Sequence, residues 1–251
     1  MVDDYFPIHR GAPFFSRNHG PELWVLLFEK AYAKLFGSYQ SIESGLTGIA
    51  FNSLTGAPYE YLMKDSKSPI DVDTAWKFIT SNFEQQHLLT GSTENNDRNG
   101  YQGLVSSHAY TILDVQEVHI ATKKGKKKER IVKVSNPWGK YEWKGRWSDY
   151  SDVWSEELRQ QLQFEKADDG IFWINIEDFV ESFGQVCSCK YNKNYLSTSL
   201  PLDFDSELDK YPSSNAASSR ESTCGCTTAA RATSVSSSRT TDTSTPTTST
   251  R

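Results

Sequence analysis

His108 and Asn136 are the side chains whose types and setting point to proton-transfer chemistry. His108 lies within Ser106-Ser107-His108-Ala109-Tyr110, and Asn136 within Ser135-Asn136-Pro137-Trp138-Gly139. Between them come an apolar, β-branched run at 111–120, a lysine-rich tip at 123–128 and a second apolar run at 131–134. Two β-rich runs joined by a polar tip containing Gly125 predict a hairpin or neighbouring strands. A hairpin returns the chain to the end where it began, so His108 and Asn136 are expected to meet. An imidazole held by a carboxamide is two parts of a Cys-His-Asn nucleophilic centre. The ring takes the thiol proton, while the amide oxygen accepts from the other ring N–H and fixes tautomer and orientation. Taken singly, a histidine at a strand start is structural and Asn-Pro is a turn. The pair carries the chemistry.

Cysteine, the third part, occurs only at Cys187, Cys189, Cys224 and Cys226. The Cys-x-Cys spacing, without neighbouring histidines, does not suit zinc. These side chains are read as free thiols, at the surface or half buried.

The elements that must position the pair follow from periodicity and turn signals. Pro21 opens a helix in which Leu23, Leu27, Ala31 and Leu35 recur every fourth residue, up to Gly37. Residues 38–62 are rich in Gly and Ser and read as loop, with Thr55-Gly56-Ala57-Pro58 as a turn. A second helix is expected from Asp71 or Asp73, with Trp76, Ile79 and Phe83 on one face, then a short strand at 87–90. Beyond the Asn136 strand come a short helix at 154–162, a turn at Asp168-Asp169-Gly170, a strand at 171–176 and a short helix around Asp178-Phe179. From 213 onward more than half the residues are Ser or Thr, and no core can form there.

Composition sets wider bounds. A chain of 251 residues with 13% aromatics and seven Trp can bury one substantial core or two small ones. The net charge of −5 is mild and by itself argues neither for nor against nucleic acid, and no nucleic-acid partner is expected. Met1-Val2-Asp3-Asp4 is acidic and begins no signal peptide, and the longest strongly apolar stretch, 23–28, is too short to cross a bilayer. A cytoplasmic protein is expected. Lys123, Lys124, Lys126, Lys127 and Lys128 read as a solvated tip or as a contact for acidic lipid or protein surfaces. Nothing aromatic is interleaved with them to stack on bases.

Several segments together resemble the calpain family of calcium-dependent cysteine proteases. They are Ser107-His108-Ala109-Tyr110, Asn136-Pro137-Trp138-Gly139, Trp143-x-Gly145-Arg146-Trp147-Ser148-Asp149, Asp168-Asp169-Gly170-x-Phe172-Trp173 and Leu27-x-Glu29-Lys30-Ala31-Tyr32-Ala33-Lys34. The likeness covers roughly 1–190 and implies an α+β, papain-like fold. Its parts would be the end of a first protease subdomain (1–62), a mainly β second subdomain with the histidine and asparagine (63–200), and a disordered Ser/Thr-rich tail (201–251). The chain would then begin mid-domain, after the family's cysteine helix.

The resemblance implies that His108 is the catalytic base, that Asn136 orients it, and that Trp138 shields their hydrogen bond from water. It also implies calcium as cofactor, held by Glu142, Asp149, Asp169 and the Ala167 carbonyl. Hard Ca²⁺ takes about six to eight oxygens. Ile171 stands where the family commonly has another glutamate, which weakens such a site, and the alternative is that these are solvated turn acids. The family's nucleophile sits in a Gly-Asp-Cys-Trp-type stretch with no counterpart here, so this chain is expected not to cleave peptides by itself. Its partners would be protein substrates or a regulatory protein. The competing expectation is a non-catalytic calpain-like module that binds protein or calcium.

Overall fold

The computed structural model describes residues 1–17, 20–65, 69–94, 102–122 and 125–193. The expected disordered tail, Cys224, Cys226, Lys123 and Lys124 lie outside the described residues. Among those described, no helix is long and apolar enough to cross a membrane.

A six-stranded sheet organises the chain after residue 58. In chain order its strands are β3 (Tyr59–Met63), β4 (Leu88–Thr93), β5 (Ala109–Thr122), β6 (Gly125–Ser135), β7 (Ile171–Asn175) and β8 (Phe183–Cys189). Across the sheet they run β3-β8-β4-β5-β6-β7, every pairing antiparallel. The expected hairpin is β5–β6, in register from Thr111 opposite Ser135 to Thr122 opposite Gly125, with one bulge between Ile112 and Asp114. With helices packed on this antiparallel sheet, the fold is α+β.

Side chains alternate between the two faces of a strand, and each face has its own cover. Val132, Val134, Phe172 and Ile174 face a core closed by α3 (Val72–Glu84) and α5 (Ile176–Ser182), which contribute Ala75, Ile79 and Phe179. α3 starts where the Asp71 carboxylate accepts the Thr74 N–H at 2.8 Å, an N-cap that satisfies a first-turn donor. On the other face, Val118, Ile120, Ile131 and Trp173 meet Trp147, Trp154, Leu158 and Leu162. The short helix α4 (Glu156–Gln161) belongs to this second layer.

Residues 1–56 differ from their sequence reading in two ways. The short strands β1 (Ile8–His9) and β2 (Ala12–Pro13) pair with each other, and α1 spans Trp24–Phe36. The expected apolar stripe of α1 is not its buried face: Leu26 and Ala33 are buried, whereas Leu23 is 51% and Leu35 67% exposed. Apolar residues surround this helix, so periodicity could not select the inward side. The loop expected over 38–62 instead holds a 3₁₀ turn (Gln40–Ile42), α2 (Thr47–Thr55) and β3. The Gly48 N–H donates to Tyr61 Oη at 2.8 Å, and Thr47 bonds Thr90 hydroxyl to hydroxyl at 2.9 Å, tying α2 to the sheet. The boundary drawn at 62 therefore falls inside a sheet strand, with Leu62 paired to Val186.

Cys187 and Cys189 also depart from expectation, since both are free thiols buried to 1% and 0% exposure on β8. Burial pushes the Cys187 thiol up, so it stays protonated. β4 separates its strand from β5, and it is no partner for His108.

A buried ion cluster pins the second layer to the hairpin. Glu129 on β6 is 8% exposed and accepts from Arg146 Nε at 3.1 Å and Nη2 at 2.9 Å, and from Trp147 Nε1 at 2.8 Å. Burial alone would raise this carboxyl, but the bonds from Arg146, Lys127 and Trp147 outweigh it and hold the group below its usual range. The cluster keeps Trp147, fully buried at φ 69, in a backbone region that bulky residues seldom adopt. Removing the carboxylate leaves the buried Trp147 N–H without its acceptor, while Arg146 and Lys127 keep access to water. We expect Glu129→Ala to lower the urea-unfolding free energy by about 1–3 kcal/mol, the cost of an unsatisfied buried donor; a loss within error of zero would contradict the cluster's structural role.

Candidate active site

His108 immediately precedes β5 and Asn136 immediately follows β6, so the hairpin register fixes their meeting. His108 Nε2 lies 2.9 Å from Asn136 Oδ1. The carboxamide has no freedom to flip. Its Nδ2 donates to the Lys140 carbonyl at 2.6 Å and the Tyr141 carbonyl at 3.3 Å, while its oxygen also accepts the Trp138 N–H at 3.1 Å. An oxygen facing the ring requires a donor there, so the proton sits on Nε2 and Nδ1 carries the lone pair. Nδ1 is thereby a base.

The backbone around His108 is held as firmly. Its N–H donates to Thr93 Oγ1 at 3.0 Å, its carbonyl accepts the Thr93 N–H at 3.0 Å, and the Thr93 hydroxyl donates to the Val105 carbonyl at 2.6 Å. Tyr110 Oη accepts the Val105 N–H at 2.8 Å, and its ring meets that of His108 edge-on at 5.0 Å. Ser107 sits at φ 50, which turns the chain into the strand. The Trp138 indole lies 4.3 Å from the imidazole centroid, tilted by 41°, and covers one side of the pair. That indole is itself 55% exposed. Asn136, at 2% exposure, is buried.

Sequence reasoning brought out the pair but not its supports. Tyr110 read only as a neighbour of His108 at the strand start, and Thr93 lay beyond the short strand expected at 87–90, in a stretch read as polar and flexible. Gly170 read only as a turn, yet at φ 82 a Cβ there would stand 2.8 Å from Lys140 N and 3.0 Å from the Asn136 carbonyl oxygen. The Asp168-Asp169-Gly170 turn signal was the available clue.

The four residues expected to hold calcium lie around this turn. Glu142 Oε1 accepts the N–H groups of Asp169 at 2.9 Å and Gly170 at 2.8 Å. Asp149 Oδ2 accepts the Ala167 N–H at 3.2 Å, and its Oδ1 is buried without a hydrogen-bond partner. Asp169 Oδ1 accepts the Ile171 N–H at 2.9 Å. Among the described residues, no three His, Cys, Asp or Glu side chains converge closely enough to hold a metal ion. Glu142 and Asp149 reach the turn of Asp169 from separate segments without forming a ready cation cage, and the orphan oxygen of Asp149 is a feature that suits a cation.

Burial lowers the His108 pKa below 6.5, and the bond to Asn136 opposes this only in part, so the ring is neutral at neutral pH. Burial lowers His87 as well. Both rings bind protons more readily when unfolded, so their stability is full above 6.5 and is lost as the pH falls through that value. Glu142 and Asp149 are pushed up by burial, which gives a slope of opposite sign at lower pH. The expected result is that His108→Gln flattens the decline in unfolding free energy between about pH 7 and 5 relative to wild type. Parallel profiles would remove the burial account of His108.

With this geometry established, comparison with known proteins is specific. The family model described as calpain family cysteine protease matches residues 1–190. A calpain-type cysteine protease, ADL1, of Oryza sativa subsp. japonica is 34% identical over 200 residues, covering 76% of this chain and 9% of the relative. The calpain-1 catalytic subunit of Rattus norvegicus is 34% identical over 207 residues, covering 79% of this chain and 28% of the relative. Calpain-12 of Mus musculus is 34% identical over 206 residues, covering 79% and 27%. The chain thus spans less than a third of the length of these relatives. With the family model matched over most of its length, this chain belongs to the calpain family of cysteine proteases.

Proposed function

We propose that the chain carries the histidine–asparagine half of a calpain-type, papain-like cysteine endopeptidase centre. The observation that supports this most is the bond from His108 Nε2 to a flip-locked Asn136, which leaves Nδ1 basic. A cysteine thiol on the Nδ1 side would give up its proton to His108, and its sulfur would attack the peptide carbonyl. Asn136 keeps the ring turned toward that thiol, and Trp138 limits water at the bond. Cys187 cannot supply the thiol, because it is buried and protonated on another strand. In this reading the 251-residue chain alone does not hydrolyse peptides, and its partners are protein substrates or a regulatory protein.

The exposed apolar surface of residues 1–55 supports the same reading. Ile8, Phe14, Leu23, Trp24, Phe28 and Leu35 are each more than half or about half exposed. Such a surface suits burial against further protease-domain structure. It also favours a second reading, a non-catalytic module that uses this face to bind protein.

Joining an upstream calpain segment that carries the cysteine tests the first reading. Thiol-dependent peptide cleavage is expected, and His108→Ala should lower kcat by about 10²–10⁴-fold, the usual share of a general base. Full activity in that variant would remove His108 from the mechanism; no cleavage from a folded, joined protein would favour the binding module.

The calpain family is generally calcium-dependent, and calcium is part of this proposal for the present chain. Binding would have to draw Glu142, Asp149 and Asp169 together, with Asp149 Oδ1 the buried acceptor and Ala167 beside it. Ile171 supplies no oxygen from its side chain. A native-state ligand raises the melting temperature by mass action. Millimolar calcium should therefore raise Tm, and Asp149→Asn should remove the shift. An unchanged wild-type Tm would leave these residues as turn acids.

A further inference from the structure

Glu142 stands at a junction that neither the hairpin nor the His–Asn pair explains. Its Oε1 accepts the Gly170 N–H at 2.8 Å and the Asp169 N–H at 2.9 Å. The Gly170 carbonyl in turn accepts the Asn136 N–H at 2.8 Å, and Asn136 Oδ1 faces His108 Nε2 at 2.9 Å. The segment 136–142 is thus fastened to one peptide turn at both ends, through its backbone at Asn136 and its carboxylate at Glu142. The Asn136 carboxamide spans this same loop, donating to the carbonyls of Lys140 and Tyr141. Any shift of the loop relative to Gly170 would move the amide that orients the ring.

The other side of Glu142 touches the segment that delivers His108. The Lys144 N–H donates to the Gln102 carbonyl at 2.8 Å. At Gly103, φ 85, a Cβ would lie 2.0 Å from the Glu142 carbonyl oxygen. Only glycine permits that approach. Leu104 is buried immediately after it, at 2% exposure. Glu142 therefore lies where the histidine-bearing and asparagine-bearing segments and the Gly170 turn come together.

We infer that Glu142 is a positioning residue for the His108–Asn136 pair, acting through the Gly170 peptide rather than on the ring itself. Two charge-assisted bonds from one carboxylate oxygen hold the turn, and the turn holds Asn136. This inference rests on the proposed role of the pair, but its test reads the pair directly and needs no catalysis.

The test uses the 251-residue chain labelled with ¹⁵N and follows the His108 Nε2–H resonance at neutral pH. In wild type that proton should be observable and slow to exchange, because Asn136 accepts it. Glu142→Ala should accelerate its exchange by about tenfold or more, the scale of losing a bond to a charged group. Glu142→Gln, whose side-chain oxygen still accepts from both N–H groups, should restore the wild-type signal. Asp168→Asn changes the charge of the same turn without touching these bonds and should leave the resonance unchanged. A protected proton in Glu142→Ala, or its loss in Asp168→Asn, would overturn the inference while the pair itself stands. If Glu142→Ala does not fold, Glu142→Asp, one methylene too short, replaces it, and a wild-type exchange rate there has the same consequence. Absence of the protected proton in wild type would instead count against the pair.

Discussion

The carboxamide of Asn136 is the group on which the arrangement around it depends. It is buried, and each side of it has a partner: two backbone carbonyls on the nitrogen, the Trp138 N–H and His108 on the oxygen. A buried amide left unpaired costs about 1–3 kcal/mol, so the loop at 136–142 and the strand start at His108 must close around it together. The β5–β6 hairpin supplies the coarse placement. Thr93, Tyr110 and Gly170 supply the fine placement, which a proton-transfer geometry requires.

The second layer has a separate anchor. Glu129 reaches from β6 to Arg146 and Trp147, so the turn that carries Asp149 is held against the same hairpin that delivers the histidine. Two buried acceptors, one amide and one carboxylate, thus tie the loops to the sheet. Each has a specific set of donors, and this fixes where the loops lie more tightly than apolar packing alone does.

The meeting of His108 and Asn136 was legible because hairpin pairing follows from two β-branched runs and a polar tip. α3 was legible from its cap and its Trp76, Ile79, Phe83 spacing. α2 was not, since Thr, Gly, Asn and Ser are weak helix formers and its docking onto Tyr61 and Thr90 is a long-range contact. The inward face of α1 was hidden by apolar residues on all sides. The supports of the site were hidden for another reason: they act on backbone groups, as the Thr93 and Tyr110 hydroxyls do on the peptides of His108 and Val105, and a peptide carbonyl such as that of Gly170 leaves no trace in residue type.

The measurement that bears most directly on the account is the tautomer and pKa of His108, read from its imidazole ¹⁵N shifts across a pH titration. The account predicts a ring protonated on Nε2 and bare on Nδ1 at neutral pH, with a pKa below 6.5. Titration at or above 6.5 would contradict only the dominance of burial over the Asn136 bond. A ring that populates both tautomers would show that Asn136 does not hold it and that the pair is not a base and its orienter.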